Sequence, residues 1–298
     1  MRFGAYVPTS GEYDVATLVE LAREVESLGY HGMFVWDNIL STFDGRGILD
    51  DTTVALTAIV LATQNLHCGP LVTPLARRRP WKVAKELATL DRLSRGRMVL
   101  GVGLGGTWDF APFSEPPADR RRGEILDEAL TVVTACWSGR DVHHHGRHFT
   151  VDGARMLPVP VQQPRIPIWT AGYWPATAPF ARAARWDGVA PLRKGHLFEG
   201  LLPDELSACL RHIQQLRDRD EAFDAVYFDT GTAPVTRSRV DEYEAAGATW
   251  WLVSTNPAEE SLAEFRARLR SVSDAIDMSQ AVDTLSRTAT RGEHHPFG

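Results

Sequence analysis

Residues 66–106 constrain the fold more than any other part of the chain. They begin with an apolar run at residues 66–73 that is too short for a core helix and has the composition of a strand buried on both faces. Residues 80–93 then repeat apolar side chains at helical spacing, and Gly96 follows where a left-handed cap is expected. A second apolar run comes directly afterwards, at residues 98–102. This order predicts a β-α-β unit with parallel strands.

The same alternation extends over the rest of the chain and predicts a (β/α)8 TIM barrel. Helical patterns separate eight strand candidates, at residues 2–8, 32–36, 66–73, 98–102, 166–170, 188–192, 225–229 and 250–254. Residues 1–276 are therefore expected to form a single domain, and residues 277–298 a polar tail that is only partly ordered. Residues 138–164 carry prolines and have no clear period, so we expect an excursion over the barrel mouth between the fourth and fifth strands.

Charge and composition limit the function classes. The formal net charge of −6 argues against nucleic acid as a partner, because phosphate binding requires a basic face. Neither a signal peptide nor an apolar run long enough to span a membrane is apparent in the sequence. Cys68, Cys136 and Cys209 have unrelated spacings, which fits neither a disulfide framework nor a zinc site. We therefore expect a cytoplasmic protein.

Two motifs have more than one interpretation. The spacing of four glycines resembles a dinucleotide fingerprint: Gly101, Gly103, Gly105 and Gly106. That fingerprint requires a helix directly after the glycines, and we expect a loop here. We therefore interpret Gly103 and Gly105 as positions where the absence of a side chain lets a flat ring approach the backbone. A histidine run at residues 143–148 could hold a metal. Adjacent residues of an extended segment point to opposite faces, however, and we predict no metal site there.

A third motif predicts an anion site. The strand candidate at residues 166–170 continues into Ala171 and Gly172, and Pro175 stands where a helix is expected to begin. Free N–H groups at such a point bind phosphate, and the alternative is an ordinary turn.

The motifs of residues 73–105, taken together, resemble the luciferase-like flavin and deazaflavin oxidoreductases. The matching residues are Thr73 and Pro74, Pro80, Ala84 and Lys85, Thr89 to Asp91, Leu93 and Ser94, Gly96 and Arg97, and Leu100 to Gly105. The resemblance continues in Ala183, Ala184, Asp187 and Gly188. It implies an oxidoreductase acting on a small-molecule substrate with deazaflavin coenzyme F-420 or FMN as cofactor. A homodimer is also implied.

The resemblance further implies where the cofactor lies. Leu71, Val72 and Thr73 correspond to a bulge against the ring, with a non-prolyl cis peptide expected between Pro70 and Leu71. Four residues correspond to the turn that holds the phosphate: Ala171, Gly172, Tyr173 and Trp174. Lys194 corresponds to a phosphate-pairing lysine of the deazaflavin enzymes.

Asp37 and Asn38, which follow the second strand, are the predicted catalytic residues. Relatives commonly have Asp-His or Glu-His-His here, and asparagine cannot replace histidine as an acid or base near neutral pH. Thr42 and Gly106 also stand where the sugar-phosphate dehydrogenase branch has Trp and Glu, which argues against that activity. We favour hydride transfer with F-420; the alternatives are an FMN-dependent monooxygenase using O2, a non-catalytic flavin or ligand binder, and, less favoured, a metal-dependent hydrolase using the histidine run.

Overall fold

Parallel strands alternate with helices along the chain. The computed structural model describes residues 1–40, 50–115, 120–196 and 199–277. The strands are β1 (Arg2–Val7), β2 (Gly32–Val35), β3 (His67–Pro70), β4 (Thr73–Pro74), β5 (Leu100–Gly103), β6 (Asp141–His145), β7 (Thr150–Arg155), β8 (Ile168–Trp174), β9 (Gly188–Arg193), β10 (Asp224–Asp229) and β11 (Trp250–Ser254). The helices are α1 (Val15–Ser27), α2 (Thr52–Ala62), α3 (Pro80–Leu93), α4 (Thr107–Phe110), α5 (Arg120–Trp137), α6 (Thr177–Ala183), α7 (Pro203–Leu216), α8 (Arg237–Ala245) and α9 (Leu262–Ile276).

The predicted TIM barrel is confirmed. Nine parallel strands are ordered β3-β2-β1-β11-β10-β9-β8-β5-β4, and a bridge between Cys68 and Met98 joins β3 back to the segment before β5. The third predicted strand is interrupted: β3 and β4 are separated by Leu71 and Val72. The non-prolyl cis peptide lies between Leu71 and Val72, so its predicted place at Pro70–Leu71 was wrong by one residue. None of the described helices is long and apolar enough to cross a membrane.

Large aromatic side chains fill the barrel interior. Phe34, Trp169 and Trp250 contact one another with ring centroids 5.1 to 5.6 Å apart, and all three are fully buried. The guanidinium of Arg2 lies 4.5 Å from the Trp250 ring, at the amino-terminal end of the strands. These side chains fill the amino-terminal end of the barrel in the described part of the chain, so we expect a ligand to enter from the carboxyl ends of the strands.

The motif residue Asp91 has a structural role. Its fully buried carboxylate accepts hydrogen bonds from the backbone N–H groups of Val161 and Gln162 at 2.8 and 3.0 Å, and from Gln162 Nε2 at 2.6 Å. Arg97, from the same motif, donates to the carbonyls of Val60, Thr63 and Leu66 after α2. Part of the motif therefore stabilises the barrel, far from the strand ends where ligands bind.

We expect Asp91→Ala to lower the free energy of unfolding by about 2–4 kcal/mol, because the partly buried donors of Val161 and Gln162 lose a charged acceptor. Chemical denaturation measures this change. Asp152→Ala is the matched control, since Asp152 pairs only with His143 in the solvent-exposed part of the hairpin and should cost at most about 1 kcal/mol. Equal losses in the two variants would contradict the structural role of Asp91.

The excursion at residues 138–164 lies on the outer helices, so its predicted position over the mouth was wrong. Strands β6 and β7 form an antiparallel hairpin, and its turn binds α5. The carboxylate of Glu128 in α5 accepts hydrogen bonds from the backbone of Arg147, His148 and Phe149 and contacts His144 Nε2. Bonds to the side of α5 hold the hairpin away from the strand ends, and the sequence did not reveal them because they pair residues of distant segments.

A short helix follows the glycines of β5, where the sequence predicted a loop. Helix α4 begins at Thr107, directly after Gly106, and a 3₁₀ turn continues from Ala111 to Phe113. This arrangement is not a dinucleotide-binding unit, because β5 belongs to a closed barrel and not to an open doubly wound sheet.

His67 makes the stability of the barrel dependent on pH. Burial, followed by the charges of Arg2 and Arg97, lowers the pKa of His67 to about 4. An unfolded chain protonates histidine near pH 6.5, so the unfolded state binds more protons between these values and stability falls as the pH falls. We expect the wild type to lose up to about 3 kcal/mol between pH 7 and pH 4 on this account. Urea unfolding of His67→Gln should show a correspondingly flatter dependence, and parallel curves would contradict this assignment.

Candidate active site

A cavity of about 330 Å³ opens at the carboxyl ends of the barrel strands. Its walls come from the carboxyl-terminal ends of β1, β5, β8 and β9, from the segments after β2, β3, β5 and β8, and from helix α6. The lining residues are Tyr6, Trp36, Asp37, Asn38, Leu71, Val72, Gly103, Leu104, Gly105, Gly106, Trp108, Ala171, Gly172, Tyr173, Ala176, Pro179, Arg182 and Leu192. Its volume and its largely apolar walls are typical of a site for a small organic ligand.

Most of the predicted site residues meet in this cavity. Those in its wall are Asp37, Asn38, Leu71, Val72, Gly103, Gly105, Ala171, Gly172 and Tyr173. Three others lie elsewhere. The Trp174 ring contacts Phe180 and His212 on the helix side of β8, because neighbouring residues of a strand face opposite sides. Thr73 is buried behind Asp37, and Lys194 is exposed in the turn after β9. Thr42 lies outside the described residues.

Asp37 lines the cavity, and its carboxylate is held by Thr73 and Arg78. Its carboxylate is 6% exposed, accepts a hydrogen bond from Thr73 Oγ1 at 2.8 Å and forms an ion pair with Arg78 at 2.7 Å. Burial raises the pKa of the Asp37 carboxyl, and the attraction of Arg78 and the Thr73 bond oppose this. Both oxygens are engaged, so the side chain is suited to fixing the β2 and β4 ends.

Three polar side chains reach the cavity from different strands. Tyr6 donates its hydroxyl to the Leu71 carbonyl at 2.6 Å, and burial raises the pKa of this phenol. Burial also raises the pKa of Tyr173, whose side chain is 44% exposed at the rim. The Asn38 amide is half-buried in the opposite wall. Both phenols stay protonated at neutral pH; the Tyr6 hydroxyl already donates its proton to Leu71, and the Tyr173 hydroxyl can donate a hydrogen bond in the cavity.

The glycines after β5 have a different role from the predicted one. A Cβ atom on Gly103 would lie 2.6 Å from Val72 Cγ2, and one on Gly105 would lie 2.6 Å from Phe110. One on Gly106 would overlap Trp108 Nε1. The space beside these glycines is therefore filled by the protein itself, and they permit close packing of the wall instead of leaving room for a ring.

A buried ion-pair cluster, the Asp109 network, fixes the wall between β2 and β5. Asp109 binds Arg77 Nη1 at 2.7 Å and accepts from the backbone N–H groups of Ile39 and Leu40 at 3.0 and 2.8 Å. The network also includes the Phe110 ring, which lies between the guanidiniums of Arg77 and Arg122 at 3.8 and 3.5 Å. Sequence reasoning missed this network because its members are remote along the chain.

Arg182 is a second residue that the sequence did not reveal. Its side chain is 8% exposed in α6, where Nε and Nη2 donate to the Asp127 carboxylate at 2.7 and 3.0 Å. Nη2 also lies 3.3 Å from the Gly123 carbonyl. Helix α6 begins at Thr177, two residues after Pro175, and has only seven residues; the anion site predicted at this turn stays a prediction.

Neither of two other features forms a comparable site. A hollow of about 390 Å³ lies on the outer surface between α3 and the hairpin, beside Trp81 and Leu157, and the Lys85 ammonium there is bonded to the Leu157 carbonyl. It is remote from the strand ends where barrel enzymes place their sites. No group of side chains with metal-ligand character, the histidine run included, is found among the described residues.

Comparisons with known proteins agree with this geometry. A family model described as luciferase-like monooxygenase matches residues 1–281. The F420-dependent glucose-6-phosphate dehydrogenase of Mycolicibacterium smegmatis is 26% identical over 285 residues, which cover 94% of this chain and 80% of that relative. A solved F420-dependent secondary alcohol dehydrogenase, in complex with an F420-acetone adduct, has a TM-score of 0.76 at 15% identity over 93% of this chain and 98% of its own. The oxygenating constituent of a type II Baeyer-Villiger monooxygenase of Pseudomonas putida, in complex with FMN, has a TM-score of 0.72 at 12% identity over 92% and 97%.

Proposed function

Because the chain belongs to the luciferase-like monooxygenase family, we propose that it is an oxidoreductase that uses deazaflavin coenzyme F-420, or reduced FMN, to reduce or oxidise a small organic substrate. The observation that carries this proposal is the cavity of about 330 Å³ at the strand ends. It brings together predicted residues from β2, β3, β5 and β8, although these segments are far apart in the sequence.

The cavity fits a flat, mostly apolar ring with a polar edge. Leu71 and Val72 form one wall, and Leu192 lies across the mouth at the end of β9. Trp108 and Tyr173 stand at the rim, 40% and 44% exposed, where they can cover a bound ring and exclude water. When bound, the reduced ring would supply the hydride, and the protein would supply orientation and a dry environment.

Substrate positioning falls to the hydrogen-bond donors of the cavity. Asn38 and Tyr173 both line the cavity, and in this proposal the Asn38 amide donates a hydrogen bond to a substrate oxygen, as the protonated Tyr173 hydroxyl also can. Asp37 is bonded to Thr73 and Arg78, and its role is to hold the wall. We therefore propose Asn38 as the residue that contacts substrate, with Asp37 as its positioning partner.

The proposal is tested by anaerobic titration of the purified protein with F-420 and with FMN, followed by turnover. Micromolar binding of one cofactor identifies the branch. Oxidation of reduced F-420 by a panel of aldehydes and ketones would support hydride transfer, whereas substrate-dependent oxygen consumption with reduced FMN would support a monooxygenase. Binding without either reaction would favour the non-catalytic ligand binder, and absence of binding would overturn the oxidoreductase proposal.

We expect Asn38→Ala to reduce turnover about tenfold or more while changing cofactor affinity less than about threefold, because the amide contacts substrate and not the ring. Steady-state kinetics and the same titration separate the two effects. Asn65→Ala, on the exposed surface at the opposite end of the barrel, is the matched control and should behave as wild type. An Asn38→Ala enzyme with unchanged turnover would remove Asn38 from the site.

A further inference from the structure

We propose that Arg182 forms the anion subsite of the cavity and binds the phosphate group of the cofactor, the role that the sequence assigned to Lys194. This inference rests on the proposed function, since the phosphate is that of FMN or of the F-420 phosphodiester. The position of Arg182 and the hydrogen-bond partners of its nitrogen atoms support this inference.

Arg182 combines burial with access to the ligand space. Arg182 lines the cavity together with Gly172, Ala176 and Pro179, while 8% of its side chain remains exposed. Asp127 and the Gly123 carbonyl engage Nε and Nη2. Within the part of the chain that the structure describes, Nη1 has no hydrogen-bond acceptor. A buried guanidinium with a free N–H edge is a preorganised donor for a phosphate oxygen.

The local charge balance also favours an anion. Asp127 is shared by two guanidiniums, because Arg185 Nη2 contacts the same Oδ1 at 2.6 Å. The three groups therefore carry one net positive charge beside the cavity. Arg185 is 59% exposed and does not line the cavity, so it is solvated while Arg182 faces the ligand space. A partly desolvated charge of this kind attracts an anion more strongly than an exposed one.

Lys194 lacks these properties. It is exposed in the turn after β9, and its backbone N–H, not its ammonium, bonds to the Trp174 carbonyl at 3.3 Å. Its side chain is not part of the cavity lining. The family resemblance implied a cationic side chain at the end of β9. In the structure, the cationic side chain that lines the cavity is Arg182 on helix α6.

The experiment compares two ligands that differ only in the phosphate, riboflavin and FMN, by fluorescence quenching on wild type, Arg182→Gln, Arg185→Gln and Lys194→Ala. We expect wild type to bind FMN at least about tenfold more tightly than riboflavin, and the ratio to fall to about 1–2 in Arg182→Gln with riboflavin affinity unchanged. The ratio should persist in Arg185→Gln, the matched control that shares Asp127. Added salt should reduce it in wild type. F-420 and its phosphate-free deazaflavin chromophore form the equivalent pair if the deazaflavin is preferred.

Each result decides between the two proposals. A ratio that persists in Arg182→Gln, or that is lost in Lys194→Ala instead, overturns the assignment of Arg182 while leaving the proposed function intact. If neither ring binds to wild type, the proposed function fails, and calorimetry with inorganic pyrophosphate tests the subsite by itself. Binding of pyrophosphate that disappears in Arg182→Gln would then support the subsite, and no binding would overturn it.

Discussion

Asp109→Ala is expected to lower the free energy of unfolding by about 3–5 kcal/mol, the largest stability change that we predict for a single substitution. The side chains of Asp109 and Arg77 are 2% and 5% exposed, so the substitution leaves a buried guanidinium with only Glu115 as a charged partner. It also removes the acceptor for the N–H groups of Ile39 and Leu40. Denaturant unfolding measures the loss, and the cavity should bind its ligand more weakly because the wall is released.

Two further variants separate charge from hydrogen bonding in the Asp109 network. Asp109→Asn keeps an oxygen acceptor for Ile39 and Leu40 and should lie between wild type and Asp109→Ala. Asp141→Ala removes an ion pair of similar geometry with Arg155, but this pair is more than half exposed, so solvent screens it and its loss should change stability little. If Asp109→Ala costs no more than Asp141→Ala, the network does not hold the wall.

Gly103→Val is expected to weaken ring binding about 100-fold while leaving the barrel folded. The new Cβ would lie 2.6 Å from Val72 Cγ2, so either the Val72 side chain or the added methyl groups must move into the cavity. Overfilling of packed walls typically costs about 1–3 kcal/mol, which is sufficient for a loss of this order. Fluorescence titration measures the affinity, and circular dichroism verifies the fold.

A compensating pair tests this explanation for Gly103. Gly103→Ala alone should weaken binding about tenfold, and adding Val72→Ala should restore most of the loss, because it removes the methyl group that the new Cβ would contact. Additive losses in the double variant would show that the glycine matters for another reason. Direct contact between Gly103 and the ring would then be the better explanation.

Periodic features were predictable from the sequence. Residues 80–93, which the sequence predicted to be helical, form helix α3, because apolar side chains mark its buried face over several turns. The barrel followed from the alternation of such segments with apolar runs. The interruption between β3 and β4 did not follow from the apolar pattern, because an unbroken apolar run does not show where its backbone hydrogen bonds stop; only the family resemblance implied a bulge at Leu71 to Thr73.

The site was predictable in position but not in its internal bonds. The predicted residues at the strand ends after β2, β5 and β8 lie together in the wall of one cavity, and their role toward a ligand stays a prediction. Alternation along β8 could have shown that Tyr173 and Trp174 face opposite sides, and this signal was not used. Arg182 had no comparable signal, because its buried environment depends on Asp127, 55 positions away.

The Asp109 network has a mechanical consequence for the mouth of the barrel. One carboxylate is bonded to the segment after β2, to Arg77 after β4 and, through its own backbone, to helix α4 after β5. We therefore expect these three connections to shift together when a molecule enters or leaves. Asn38 and Trp108 lie beside residues of this network, so we expect access to depend on how the network moves relative to Tyr173 and Leu192, which line the cavity from β8 and β9.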